Sequence, residues 1–177
     1  MGSLDRASTW KQPIRITIDS HIVDLIAATA GVLEAIARAA KARRLIFVTP
    51  HIIRDQLSAT RDPARRHLLL NAYDALPTES VPTHGFVLDV SVLGEEAGEG
   101  ARLGDGGESG VSLFEVKTGG RGGMQDALLA TTASGVADVL VTEDQDLCKK
   151  VEASSARCAL WSFDELVAFV NREGELE

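Results

Sequence analysis

The stretch VLVTEDQD, residues 139–146, passes from residues suited to a buried strand into three acids within four positions, Glu143, Asp144 and Asp146. The crowding has an ordinary explanation. Thr142 or Asp144 would cap a helix over the following LCKKVEASS, and acids in a first helical turn are favoured by the helix dipole. The other explanation is a site, and it requires lone carboxylates at equivalent places elsewhere in the chain.

Just before this stretch, MQDALLATTASG (124–135) predicts a helix that stops at Gly135 and feeds the strand ADVLVT. After it come a helix, a strand RCALW, and a final helix ELVAFVNR opened by a capping box of Ser162 and Glu165. Near the other end, IRITID (14–19) has strand composition and ends in Asp19. HIVDLIAATA and GVLEAIARAAKARR are helical, with Val32, Leu33, Ile36 and Ala40 forming an apolar stripe. LIFVTP is a second strand, and Thr49 and Pro50 read as the N-cap and first position of the helix HIIRDQLSAT. RDPARRHLLLNAYDAL is a further helix with Pro63 near its start. Strands alternating with helices in this way predict an α/β fold, three layers with a central parallel sheet.

Residues 85–123 interrupt the pattern and hold 12 of the 16 glycines. FVLDVSVLG and GVSLFEVKTG read as the strands of an inserted β-hairpin, joined by the acidic loop EEAGEGARLGDGGES. Its GDGG is no phosphate-binding motif, since it neither follows a core strand nor opens a helix. With 177 residues, 45% of them hydrophobic, the chain suits one domain with its own core. That domain is expected over 13–172, between tails at 1–12 and 173–177.

No apolar run is long enough to span a bilayer, and the first residues, MGSLDRASTWKQP, lack the apolar segment of a signal peptide. A cytoplasmic protein is therefore expected. Cys148, Cys158 and the four histidines show no metal-ligand spacing. The net charge of −8 opposes non-specific nucleic-acid binding. It is unevenly spread: residues 1–84 carry +3 and residues 85–177 carry −11. Arg43, Arg44, Arg65 and Arg66 belong to the basic half, the half that suits a polyanion partner.

In an open parallel sheet, ligands gather beyond the carboxyl ends of the strands. Asp19 ends the first strand, and Asp144 and Asp146 follow VLVT, so both places lie at that edge. Asp126 is expected within one turn of the start of its helix, which runs antiparallel to the strand it precedes and so begins near the same edge. Asp55 lies in the second turn of the helix after LIFVT, roughly 60° from Ile52 on the helical wheel, at the rim of the apolar face. Carboxylates brought together unpaired repel one another. A hard divalent cation, Mg²⁺ or Mn²⁺, would hold them through oxygen ligands and waters, and such a site suits phosphoryl chemistry.

The stretches IDSHIVDLI, VTPHIIRDQL, MQDALLATTA and VTEDQDL, in that order, resemble the PIN domain nucleases. The resemblance covers most of the chain outside the insertion and is specific as a set. It implies a PIN-like fold and a metal-dependent endoribonuclease, with Asp19, Asp55, Asp126 and Asp144 on the metal, Asp146 assisting and Thr142 at the family's active-site hydroxyl. Many small bacterial members are VapC-type toxins silenced by an antitoxin, so RNA, an antitoxin and a homodimeric second copy are the partners it implies. The family's second acid is most often Glu, where this chain has the shorter Asp55, and the insertion makes the chain longer than the usual toxin.

Other classes fit less well. A haloacid-dehalogenase-like phosphatase needs a second Asp two residues after the first, but Asp19 is followed by Ser20 and His21. A receiver domain wants paired acids at the first strand and a late Lys. DNA flap nucleases carry more acids and a helical arch. A non-enzymatic PIN-like binding module has typically lost some of the acids, and here every position is filled.

Overall fold

The computed structural model describes residues 13–82, 120–153 and 156–174. The chain runs β1 (Ile14–Ile18), α1 (Ser20–Ala28), α2 (Val32–Lys41), β2 (Leu45–Thr49), α3 (His51–Ser58), α4 (Pro63–Asp74) and β3 (Thr78–Ser80). After the insertion it continues with α5 (Gly120–Val136), β4 (Val139–Val141), α6 (Gln145–Ala153), β5 (Ala159–Trp161) and α7 (Phe163–Gly174). The expected hairpin strands over 85–119 lie outside the described residues.

All four strand pairings are parallel, in the order β3-β2-β1-β4-β5. The architecture is the expected three-layer α/β/α. β1 is central, and Ile14, Ile16, Thr17 and Ile18 are fully buried. Such a strand is covered on both faces, and Arg15 is its one residue that is only half-buried. Its one buried hydroxyl, Thr17 Oγ1, donates to the Val48 carbonyl at 2.8 Å, so no polar atom there is stranded. Helices α1, α3 and α4 pack together, α2 packs on α7, and α5 packs on α6 and β4. Trp161 of β5 and Phe169 of α7 meet with ring centroids 5.3 Å apart. Among the described residues no helix is long and apolar enough to cross a membrane.

Four local expectations are corrected. β3 was not expected, because TES is exposed throughout and carries no hydrophobic signal. Among the described residues it is the edge strand, and a short charged strand there resists further pairing. Pro50, not Thr49, is the N-cap of α3. Thr49 ends β2, and its hydroxyl hydrogen-bonds the Tyr73 hydroxyl at 2.8 Å instead of capping. α5 begins at Gly120, so residues 120–123 belong to a helix and not to the insertion. Glycine's helix penalty of about 1 kcal/mol is overridden there, and Gly123 is buried. α2 ends at Lys41 and not at Arg44: Arg43 takes φ 56°, the left-handed conformation that closes the helix before β2.

Candidate active site

The chain leaves β1 toward β2 on one side and leaves β4 toward β5 on the other, so a crevice opens between the carboxyl ends of β1 and β4. Two backbone bonds extend the ladder past the strand ends: Asp19 N–H donates to the Val141 carbonyl at 3.0 Å, and Thr142 N–H to the Trp161 carbonyl at 3.1 Å. The sheet itself thereby sets Asp19 beside Thr142.

The Thr142 side chain is buried, and its hydroxyl donates to Asp19 Oδ2 at 3.1 Å while accepting from the Asp144 amide at 3.1 Å. The hydroxyl thus fixes Asp19 and the turn that carries Asp144. Ser20 Oγ donates to Asp19 Oδ1 at 3.3 Å. Asp144 Oδ1 accepts from the amides of Asp146 (2.8 Å) and Leu147 (3.0 Å), capping α6. Its Oδ2 accepts no hydrogen bond among the described residues.

Asp126 faces this pair from α5. Because α5 starts at Gly120, Asp126 stands in the second helical turn and not in the first. The helix-dipole explanation for an acid at that place is therefore removed. Its carboxyl is half-buried, and burial pushes it up to about 6 from an ordinary 3.8. The charges of Asp19 and then Asp144 add to the rise, and Lys150 of α6 opposes it. The three carboxylates thus share one electrostatic neighbourhood, and ionising Asp126 costs free energy there. Among the described residues, no three His, Cys, Asp or Glu side chains converge closely enough to hold a metal ion as they stand. Chemically the donors are carboxylate and hydroxyl oxygens only, a set that fits a hard divalent cation and not zinc or copper.

The remaining expected residues lie further out. The Asp55 side chain is 53% exposed, with Oδ2 3.9 Å from His51 Nε2. The apolar face of α3, formed by Ile52, Ile53 and Leu57, spans an arc that includes Gln56 and leaves Asp55 outside it, so Gln56 and not Asp55 turns toward the body of the protein. Asp146 is 78% exposed and pairs with Lys149 at 3.6 Å. Arg43 and Arg44 immediately precede β2, at the amino edge, about 16 Å of strand away from the edge that carries Asp19. Arg66 donates to the Thr60 carbonyl at 3.4 Å. Arg65, paired with Asp24 of α1, stands near Ser20 at the carboxyl edge.

Gln56 and Gln125 carried no signal in the sequence, and Glu143 stood out there only as one of the crowded acids. Gln56 Nε2 donates to Gln125 Oε1 at 3.3 Å, tying α3 to the residue before Asp126. Gln56 Oε1 is buried without a hydrogen-bond partner among the described residues, a state that costs about 1–3 kcal/mol. Glu143 Oε1 accepts from the Phe163 amide at 2.6 Å and so caps α7 together with the Ser162–Glu165 box. Lone Gln and Ser residues become informative only once the fold sets them beside the acids. No family model matches the chain, and no curated protein matches it.

Proposed function

We propose that this protein is a PIN-type endoribonuclease that hydrolyses RNA phosphodiesters with Mg²⁺ or Mn²⁺. The observation that carries the reading is the convergence at the ends of β1 and β4: Thr142 Oγ1 joins Asp19 Oδ2 to the Asp144 amide at 3.1 Å each, and Asp126, half-buried in the second turn of α5, is raised by burial and by those two neighbours. An arrangement that costs stability in the free protein gains a rationale if a cation takes up the charge. Asp19, Asp126 and Asp144 would hold it, and the bound cation supplies an activated water and charge stabilisation at the phosphate. Thr142 orients Asp19 through its hydroxyl, and the cap on α6 uses Asp144 Oδ1 and so leaves its second oxygen for a ligand. Asp55 and Asp146 are peripheral in this arrangement.

The test is cleavage of labelled single-stranded and structured RNAs with Mg²⁺, with Mn²⁺ and with EDTA. Cleavage that needs the metal and disappears in Asp19→Asn and Asp126→Asn is expected, and equal cleavage in EDTA would overturn the reading. A cytoplasmic toxin held by an antitoxin, and a homodimer, belong to the same proposal. Growth arrest on expression, relieved by the product of an adjacent small reading frame, tests the first, and sedimentation of the purified chain tests the second.

A further inference from the structure

Beside the carboxylate cluster, a cavity of about 400 Å³ opens between α1, α3 and the start of α4. Two of its walls adjoin the cluster: Ser20 donates to Asp19, and Gln56 reaches Gln125, the neighbour of Asp126. Leu57 and Leu69 supply apolar lining, and Asp24 and Arg65 form an ion pair across it. Asp62, the N-cap of α4, holds Arg65 at the wall by accepting from the Ala64 and Arg65 amides at 2.9 and 3.4 Å. Exposed His21 lies at the rim. Most of the lining side chains are polar, with Leu57 and Leu69 as the apolar part, a lining that suits a polar ligand with one apolar face.

We infer that this cavity is a nucleobase subsite that takes one unpaired guanine flanking the scissile phosphate of a single-stranded RNA. The inference deepens the nuclease reading and rests on it for the position of the base beside the cut. A base can enter such a pocket only when it is unstacked, which restricts substrates to single strands, loops and ends. Guanine presents two neighbouring donors, N1–H and the N2 amine, beside acceptors at O6 and N7. The Asp24 carboxylate matches the donors and the Arg65 guanidinium matches the acceptors. The other three bases lack that pair of adjacent donors. The His21 ring offers a face on which a neighbouring base stacks.

The test separates the subsite from the nuclease reading by working first without metal or phosphate. Binding of guanosine, adenosine, cytidine and uridine to the full chain in EDTA is measured by ligand-observed NMR. Guanosine is expected to bind roughly tenfold more tightly than the other three, within the range given by paired base-edge contacts. Asp24→Asn should remove that preference. Thr60→Trp, which fills the cavity without touching the ion pair, should abolish binding while thermal melts stay near wild type. Equal binding of all four nucleosides, no binding of any, or guanosine binding unchanged in both variants would overturn the subsite. The same RNAs are then cut with Mn²⁺: guanosine binding with no cleavage of any RNA removes the nuclease reading and leaves the subsite. Cleavage without base preference, and without guanosine binding, removes the subsite and leaves the nuclease.

Discussion

Replacing Asp126 by Asn should make the metal-free protein more stable at neutral pH. The fold raises the Asp126 carboxyl from 3.8 to about 6, so the native state binds its proton more tightly than the unfolded chain does. Between those values the native protein holds more protons, and stability falls as pH rises through that window. The penalty is absent below about pH 3.8 and complete above about pH 6. Fully expressed, the shift would correspond to about 3 kcal/mol. Solvent reaches this half-buried group and screens it, which leaves about 1–2 kcal/mol. For a domain of this size that is a rise in Tm of about 2–8 °C. Thermal melts of wild type and Asp126→Asn in EDTA, from pH 4 to pH 8, read it directly: the two curves should meet at low pH and separate as pH rises. Mn²⁺ at a hundred times Kd should then stabilise the wild type by about 2.7 kcal/mol, raising its Tm, and leave the variant nearly unmoved. An Asn variant that melts at or below wild type at pH 8, or a gap that does not change with pH, would refute the electrostatic account of the cluster.

Asp144→Ala should destabilise the metal-free protein by about 1 kcal/mol, because the Asp146 and Leu147 amides lose their acceptor, and by more in Mn²⁺, because a ligand is lost as well. Asp144→Asn should keep the cap and the Tm while abolishing cleavage, which melts and RNA assays together would show. Arg43→Gly should stabilise by up to about 1 kcal/mol, since φ 56° suits glycine, and the denaturant midpoint would report it. Burial pushes the Cys158 thiol up to about 11, so the native protein should leave it unmodified by a thiol reagent at pH 7.5, with reaction appearing only on unfolding.

Much of this fold is written in runs that one face, or both, must bury. The β2 and β4 runs are apolar because helices cover both sides of the sheet, and Pro63 announces the start of α4, where the structure adds an Asp62 cap. Residues whose place depends on neighbours are illegible by the same logic. TES forms a strand only because β2 offers it an edge. The glycines of α5 are helical against their propensity. The angle to Ile52 alone sets Asp55 at the rim of the apolar face, whereas the whole face of Ile52, Ile53 and Leu57 favours Gln56. Counting arginines gives charge but not edge: Arg43 and Arg44 belong to the amino edge because a parallel strand follows them at once. The charges of Asp19 and Asp144 act on Asp126, although Asp126 stands in the second turn of its helix and not at the end where the sequence reading sets it, and the closeness needed to share a cation is not in the sequence pattern.

The two explanations of VLVTEDQD prove compatible because a carboxylate has two oxygens and a strand end serves two neighbours. Glu143 turns to the Phe163 amide and caps α7. Asp146 lies exposed beside Lys149, where an ion pair adds little stability. Asp144 caps α6 with Oδ1 alone, and its charge still raises the Asp126 carboxyl across the crevice. The cap fixes the orientation of the side chain, which lowers the entropy lost if the second oxygen binds a ligand. Helix stability and site geometry are therefore set by the same atoms. Asn retains the cap and removes the charge, whereas Ala removes both, so the pair of substitutions distinguishes the two tasks of one side chain.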